Sequence, residues 1–315
     1  MLRRFRRSDA AGLSSLLDRH FPEENRLLGM RPAEVKKIVE RSFRLDIRLL
    51  IALVRLVRGP IFDLFVVEVD ERIAATAYLV YLRKAGYIGM VMVDDPYRRR
   101  GYAAQVVRAC IDHAGRSGRA YAMLDVLANN DPARRLYEKL GFHEIQRGRF
   151  YSLPLVDRPP SPPSPGGSET IRPFERRDAP ELVRIAAAEL PPEVAQITPV
   201  EASDFTSAPV AARAFLSETE AWVVGPRGRP RGFVRATVAP AMEAANLTHP
   251  ILDPSLPDDL GNRLVEHALA WAAAKGAPRI VTELKGSVPK AEAALRVAGF
   301  VPEVELLTLV RATTG

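Results

Sequence analysis

The sequence predicts an α/β protein with a mixed, α+β-type sheet, built as two tandem copies of one domain. Three observations predict it. The chain has 315 residues, about twice a typical domain of roughly 150. Its halves share residues at fixed offsets. Each half runs through hairpin strands and then strand, helix, strand, helix, strand, an order that lays helices on the faces of a mixed sheet.

The offsets carry the repeat. Arg3, Phe5, Arg7, Asp9, Ala10 and Leu13 return 169 positions later as Arg172, Phe174, Arg176, Asp178, Ala179 and Leu182. Downstream, Pro96, Val107, Gly118, Ala133, Gly141 and Phe142 return at an offset of 158 as Pro254, Val265, Gly276, Ala291, Gly299 and Phe300. The second copy is therefore 11 residues shorter in its middle. Between the copies, Arg158 to Ser168 reads RPPSPPSPGGS. Proline removes backbone donors and favours an extended chain, so this segment is expected to be a linker. The expected domains are then residues 1–157 and 169–315, joined by 158–168.

The elements of the first copy follow in order. A short strand at Leu2 to Phe5 leads to Ser8-Asp9, a cap for a helix through Leu17. A helical region covers Pro32 to Val57. Leu64 to Val69 and Ile73 to Leu82 alternate around Asp70-Glu71-Arg72 and predict a hairpin. Tyr87 to Val93 is a strand stopped by Asp94-Asp95-Pro96. Gly101 to Ala114 predicts a helix, Ala120 to Val126 a strand, and Pro132 to Leu140 a short helix. Strands at Phe142 to Ile145 and Arg149 to Leu155 complete the copy.

Composition narrows the function classes. A hydrophobic share of 47% and a charged share of 26% are those of a globular chain. The single cysteine, Cys110, builds neither a disulfide framework nor a thiolate metal site, so no metal is expected. The N-terminus has no apolar core of a signal peptide. Leu49 to Val57 is far shorter than the roughly 20 residues of a membrane span and is interrupted by Arg55. A cytoplasmic protein without a membrane span is expected. The net charge of +7 invites an anionic partner. Residues 1–158 hold 29 Lys+Arg against 19 Asp+Glu, and residues 159–315 hold 16 against 19, so the basicity belongs to the first copy.

Two motifs of that copy carry chemistry. Met90 to Ala104 reads MVMVDDPYRRRGYAA: a strand, a turn with three arginines and a glycine, then a helix. The first amides of a helix lack intrahelical partners and sit at the positive end of its dipole, so this turn makes an anion site. Alone, three arginines make a solvated turn; between strand and helix they become a phosphate candidate. The second motif, LDVLANNDPARRLYEKLGF, runs from Leu124 to Phe142 as a strand, a loop and an amphipathic helix ended by Gly141.

Together these motifs resemble the GCN5-related N-acetyltransferase (GNAT) superfamily. The family's Arg/Gln-x-x-Gly-x-Gly/Ala pattern is met by Arg98-Arg99-Arg100-Gly101-Tyr102-Ala103. Its Asn-x-x-Ala-x-x-Leu-Tyr-x-x-x-Gly-Phe pattern is met by Asn130, Ala133, Leu136, Tyr137, Gly141 and Phe142. The LDV start and the RGRFY stretch are most similar to ribosomal-protein alanine N-acetyltransferases. The resemblance implies two tandem acyl-CoA N-acetyltransferase-like domains and acetyl-CoA as donor. It implies that Val91, Met92 and Val93 offer backbone groups to the pantetheine arm and thioester. Arg98 to Ala103 would hold the pyrophosphate, Asn130 and Ala133 would meet the cofactor, and Tyr137 would sit beside its sulfur. A glutamate in those relatives stands where this chain has Asp125, which makes Asp125 the candidate base. Aspartate is one methylene shorter, so a water relay suits it better than direct proton abstraction. An α-amine, with a pKa near 8, needs less help than a lysine near 10.4. A protein N-terminal amine is thus the favoured acceptor, a small-molecule amine the alternative. A non-catalytic module that binds acetyl-CoA or nucleic acid is the reading of another class, and Tyr137 and Gly101 speak against it.

The second copy has lost these residues. At the offset of 158, Arg98-Arg99-Arg100-Gly101 becomes Leu256-Pro257-Asp258-Asp259, Asn130 becomes Val288 and Tyr137 becomes Leu295. Asp125 aligns with Glu283. A degenerate domain is expected, within a monomer of pseudo-dimeric domains or a homodimer. Arg41, Arg44, Arg48, Arg55 and Arg58 would form one stripe on the second helical region, opposite Phe43, Leu50, Ile51, Val54 and Val57. His20, His113, His143, His249 and His267 show no metal spacing, and Cys110 is expected to be buried.

Overall fold

The computed structural model describes residues 1–20, 60–156, 170–206, 217–239 and 242–314. The proline-rich linker and the Arg-striped helix lie outside the described residues. Along the first copy run β1 (Leu2–Arg4), α1 (Ala10–His20), β2 (Phe62–Val69), β3 (Arg72–Tyr81), β4 (Ala85–Val93), α2 (Tyr102–Arg116), β5 (Tyr121–Leu127), α3 (Asp131–Lys139) and β6 (His143–Pro154). Along the second run β7 (Ile171–Pro173), α4 (Ala179–Ala188), the short helices α5 (Pro192–Ile197) and α6 (Ala202–Thr206), β8 (Glu218–Val224), β9 (Gly232–Val238), β10 (Ala245–Leu247) and β11 (Ile251–Leu252). It ends with α7 (Asp258–Ala274), β12 (Arg279–Lys285), α8 (Pro289–Val297) and β13 (Val301–Ala312).

Residue chemistry accounts for the joints. Asp70 and Glu71 both take positive φ, 48° and 60°, which closes the β2–β3 hairpin with the twist its strands require. The residues that recur at offset 169 build the same lock twice. The Arg3 guanidinium donates to both oxygens of Asp9 at 2.6 and 2.8 Å, and Asp9 also accepts the Arg6 amide at 2.6 Å. Arg172 does the same to Asp178 at 2.7 and 2.8 Å, with the Glu175 amide at 2.9 Å. Each forked pair ties a strand end to the start of a helix. Burial opposes ionisation of Asp178, but the Arg172 fork and the Glu175 and Gly228 amides outweigh it and hold its carboxyl below the usual range.

The chain forms two compact units whose limits differ from the sequence copies. The first takes described residues 1–20, 60–146 and 306–314, the second 147–156, 170–206, 217–239 and 242–305. The reason is an exchange of last strands. In the first unit the order is β1-β2-β3-β4-β5, and Leu306 to Ala312 of β13 then pair antiparallel with β5, Thr308 opposite Asp125. In the second unit β12 pairs with Gly148 to Pro154 of β6, Glu283 opposite Phe150. The two strands expected at 142–145 and 149–155 are therefore one strand of 12 residues. The break read between them marks where the chain passes from one unit to the other.

Each unit packs both faces of its strands. In the first, Val106, Val107, Cys110 and Ile111 of α2 cover Leu79, Ile88 and Leu124. On the opposite face Leu13 and Leu16 of α1 meet Val66, Ile73 and Met92. In the second, Leu264, Val265 and Leu269 of α7 cover Val234, Ile280 and Leu284, and Leu182 and Ile185 of α4 meet Val223 and Phe233. Each such aliphatic side chain contributes about 1.5–3 kcal/mol on burial. Cys110 is fully buried, and burial pushes its thiol pKa well up, so it is a core residue.

Candidate active site

The site of the first unit begins where two strands part. β4 and β5 run parallel and pair only over Ala85–Tyr87 with Tyr121–Met123. Towards β3 the register shifts between Thr76 and Tyr78, and Met90 takes a φ of 49°. A bulge of this kind bends a strand and re-aims its backbone. The far ends of β4 and β5 thus share no ladder pairing, and a cleft of about 520 Å³ opens at Val91 to Val93.

The arginine loop forms one wall. The Asp94 carboxylate accepts the Asp95 amide at 3.2 Å, and Arg98 pairs with Asp95 at 3.0 Å. Arg100 stacks over the Tyr97 ring at 5.8 Å. Arg99 takes a left-handed φ of 59°, and among the described residues no hydrogen bond or ion pair holds its guanidinium. Gly101, at φ 80°, is the N-cap of α2 and offers no side-chain cap. That φ costs a side-chain-bearing residue about 1–2 kcal/mol, which is why glycine stands there. The first bond of the helix runs from the Gln105 amide to the Gly101 carbonyl, 3.1 Å. The amides of Tyr102, Ala103 and Ala104 have no helical partner and lie at the positive end of the dipole, and all three residues line the cleft.

Helix α3 forms the other wall. Asn130 caps it, its Oδ1 accepting the Ala133 amide at 3.2 Å. The helix carries Tyr137, 6% exposed and edge-on to Phe142 at 6.0 Å. Burial pushes the Tyr137 hydroxyl far above its ordinary pKa, so it keeps its proton. Among the described residues nothing bonds this hydroxyl. A protonated, unbonded hydroxyl beside a cleft is a hydrogen-bond donor in waiting.

The cleft brings together Val91, Met92, Val93, Arg98, Arg99, Gly101, Tyr102, Ala103, Asn130, Ala133 and Tyr137. Arg100 and Asp125, expected with them, do not line it. Arg100 is turned onto Tyr97. Asp125 alternates with Leu124 and Val126, which pack beneath α2, so its side chain stands on the other face of the strand. There the Tyr87 hydroxyl donates to Oδ2 at 3.1 Å and the Thr308 hydroxyl to Oδ1 at 2.6 Å. Four lining residues were missed by sequence reasoning: Tyr97, Ala104, Pro132 and Leu136. All four lie within the two motif segments, Leu136 at a matched position of the second, and none carries a charge that would single it out.

The second unit closes the same place. Leu256, counterpart of Arg98, is 1% exposed in the core, and Leu295, counterpart of Tyr137, is fully buried. Asp258 and Asp259 occupy the first turn of α7. Lys290, counterpart of Pro132, donates to the Pro254 carbonyl at 2.9 Å and pairs with Asp258 at 3.4 Å. Lys290 and Asp258 answer one another, and Asp259 adds a further negative charge to the same turn, which disfavours an anion there. Among the described residues no group of His, Cys, Asp and Glu is placed to hold a metal, and no helix is long and apolar enough to cross a membrane.

Comparison with known proteins places these features. Residues 38–142 match the model of the acetyltransferase (GNAT) family. The chain is similar to N-alpha-acetyltransferase 30 of Saccharomyces cerevisiae, 38% identical over 72 residues, which is 23% of this chain and 41% of that protein. It is also similar to the ribosomal protein bS18-alanine N-acetyltransferase of Salmonella typhimurium, 33% identical over 82 residues, 26% of this chain and 55% of that protein. The chain thus spans about a quarter to a half of the length of the curated relatives it matches. A solved tandem GNAT protein from the clavulanic acid biosynthesis pathway has the same fold, with a TM-score of 0.66 and 13% identity over 100% of this chain and 99% of that one. The chain thus has the fold of a tandem GNAT protein, and within it residues 38–142 match the acetyltransferase (GNAT) family model.

Proposed function

We infer that the first unit is an acetyl-CoA-dependent N-acetyltransferase that acetylates a primary amine, with a protein N-terminal α-amine as the favoured acceptor. One observation carries the reading: a single cleft joins the bare amides of α2 and the Arg99 guanidinium to the unbonded hydroxyl of Tyr137. That combination fits a long ligand with phosphates at one end and a reacting sulfur at the other. Acetyl-CoA, when bound, supplies an acetyl group activated as a thioester. The α2 amides and Arg99, with Arg98, would hold its pyrophosphate. The backbone of Val91, Met92 and Val93 would run beside its arm, and the Asn130 amide and Ala133 would flank it.

Tyr137 serves best as a hydrogen-bond donor to the departing sulfur. A thiol has a reference pKa near 8.5 and a tyrosine near 10, so full transfer is uphill by roughly 2 kcal/mol before burial. Burial pushes Tyr137 further up and makes full transfer less favourable still. The amine would approach from the face that carries Asp125. The Asp125 carboxylate accepts two hydroxyls, and an α-amine that is partly neutral at pH 7 asks little of it. The names of the relatives, N-alpha-acetyltransferase and alanine N-acetyltransferase, support the same acceptor class. A cytoplasmic location, without a metal and without nucleic acid as partner, goes with this reading.

Thiol release from acetyl-CoA across a panel of peptide N-termini, lysine side chains and small amines tests it. Peptide N-termini are expected to turn over fastest, and Tyr137→Phe to lose about a hundredfold in kcat. Fastest turnover with a small amine would move the acceptor class. No binding of acetyl-CoA at micromolar concentration would overturn the reading.

A further inference from the structure

We propose that Thr308, which lies in the second sequence copy, is a positioning residue for the first unit's acetyl transfer: it orients the Asp125 carboxylate. The proposal rests on the acetyltransferase reading and on Asp125 serving the amine. Its basis is the strand exchange. Asp125 sits on β5, and the strand hydrogen-bonded beside it comes from the far end of the chain, 183 positions away. Thr308 stands directly opposite Asp125 in that ladder and is 2% exposed. Its hydroxyl donates to Oδ1 at 2.6 Å, while the Tyr87 hydroxyl takes Oδ2 at 3.1 Å. A carboxylate held at both oxygens by hydroxyls is fixed in its orientation. That is the condition for a short aspartate to present itself to an amine or to a relaying water.

The second unit shows that the fold does not demand a hydroxyl there. Glu283 occupies the equivalent site of β12, and the residue opposite is Phe150, a ring that donates nothing. Glu283 instead lies 3.5 Å from the Lys285 ammonium. The same register thus holds a carboxylate between two hydroxyls in the first unit, and beside a lysine in the second. A threonine chosen only to fill a strand would need no counterpart difference of this kind, since valine has the same shape and strand preference.

The experiment uses the full chain and three variants, Thr308→Val, Thr308→Ser and Asp125→Asn, with kcat and KM measured for acetyl-CoA and for the best peptide. Thr308→Val is expected to lower kcat about tenfold, the loss of one hydrogen bond to a charged group, with KM for acetyl-CoA unchanged. Thr308→Ser restores most of the rate. Combining Thr308→Val with Asp125→Asn costs no more than Asp125→Asn alone, because both act through one carboxylate. Equal loss in the valine and serine variants, or strictly multiplicative losses, would mean a packing role and overturn the proposal. An Asp125→Asn variant of wild-type rate overturns it as well. A wild-type chain that binds acetyl-CoA but acetylates none of the amines overturns the enzyme reading itself, a different result from any of these.

Discussion

The two units differ least where a fold needs its residues and most where a ligand would. Both open with the same arginine–aspartate fork, Arg3 to Asp9 and Arg172 to Asp178. Both lay one long helix over a parallel strand pair, and both close with the other copy's last strand. At the start of that helix they part company. The first unit has a left-handed Arg99 and Gly101 before bare amides; the second has Pro257 as N-cap and two aspartates in the first turn. Aspartates there favour the helix as well as an anion would, since both answer the same dipole. An N-terminus whose positive end is answered from within its own chain holds its helix; one left bare can hold a ligand.

The sharpest way to break this comparison is to reverse charges at the two helix starts. Arg99→Glu is expected to weaken acetyl-CoA binding by about 2–3 kcal/mol in isothermal titration, the scale of a lost charge-assisted contact plus repulsion. Asp259→Lys should leave the same affinity unchanged. Equal effects would mean that α2 and α7 share one ligand.

A second feature is electrostatic and lies in the second unit. Glu189 lies 4.0 Å from His249; burial lifts its carboxyl from 4.5 to about 7 and drops the imidazole from 6.5 to about 4. A raised acid contributes stability that is lost as pH rises from 4.5 to 7. A lowered histidine contributes stability that is lost as pH falls from 6.5 to 4. Between these limits the folded pair holds one proton, on Glu189, and the unfolded pair also holds one, on His249, so the two slopes cancel. Glu189→Gln removes one of them. Stability by denaturant unfolding should then rise with pH between 4 and 6.5, by up to about 1.4 kcal/mol per unit. A variant as flat as the wild type would show that burial does not depress His249.

The smallest effect concerns the helix after the cleft. Asn130 caps α3 through Oδ1, whereas Val288 stands before α8 with no side-chain cap. Asn130→Ala should cost about 1 kcal/mol in thermal unfolding, and Asn130→Asp much less. Acetyl-CoA affinity falling in Asn130→Asp without a loss of stability would separate the amide's contact with ligand from its capping.

Much of this was legible in the residues. Helix α2 and strands β4 and β5 lie within two residues of where alternation and turn chemistry put them. Arg99, Gly101, Asn130 and Tyr137, drawn from both motifs, line one cleft. Asp125 was harder to read. Residue type marked it as a candidate, but only the pleat shows that it faces away from the cleft, and only the ladder shows Thr308 beside it.

The sequence by itself determined the repeat, the order of elements and the inequality of the copies. Those follow from local rules: period-two alternation, capping residues, and charge at a helix start. Tertiary structure decided which strand closes which unit. β6 and β13 are the same strand at an offset of 158, His143–Pro154 and Val301–Ala312. Either one presents a compatible alternation to β5 or to β12, so nothing local distinguishes the two pairings. The choice between them is made by the ladder as a whole, and it sets a hydroxyl from the end of the chain against a carboxylate near its middle.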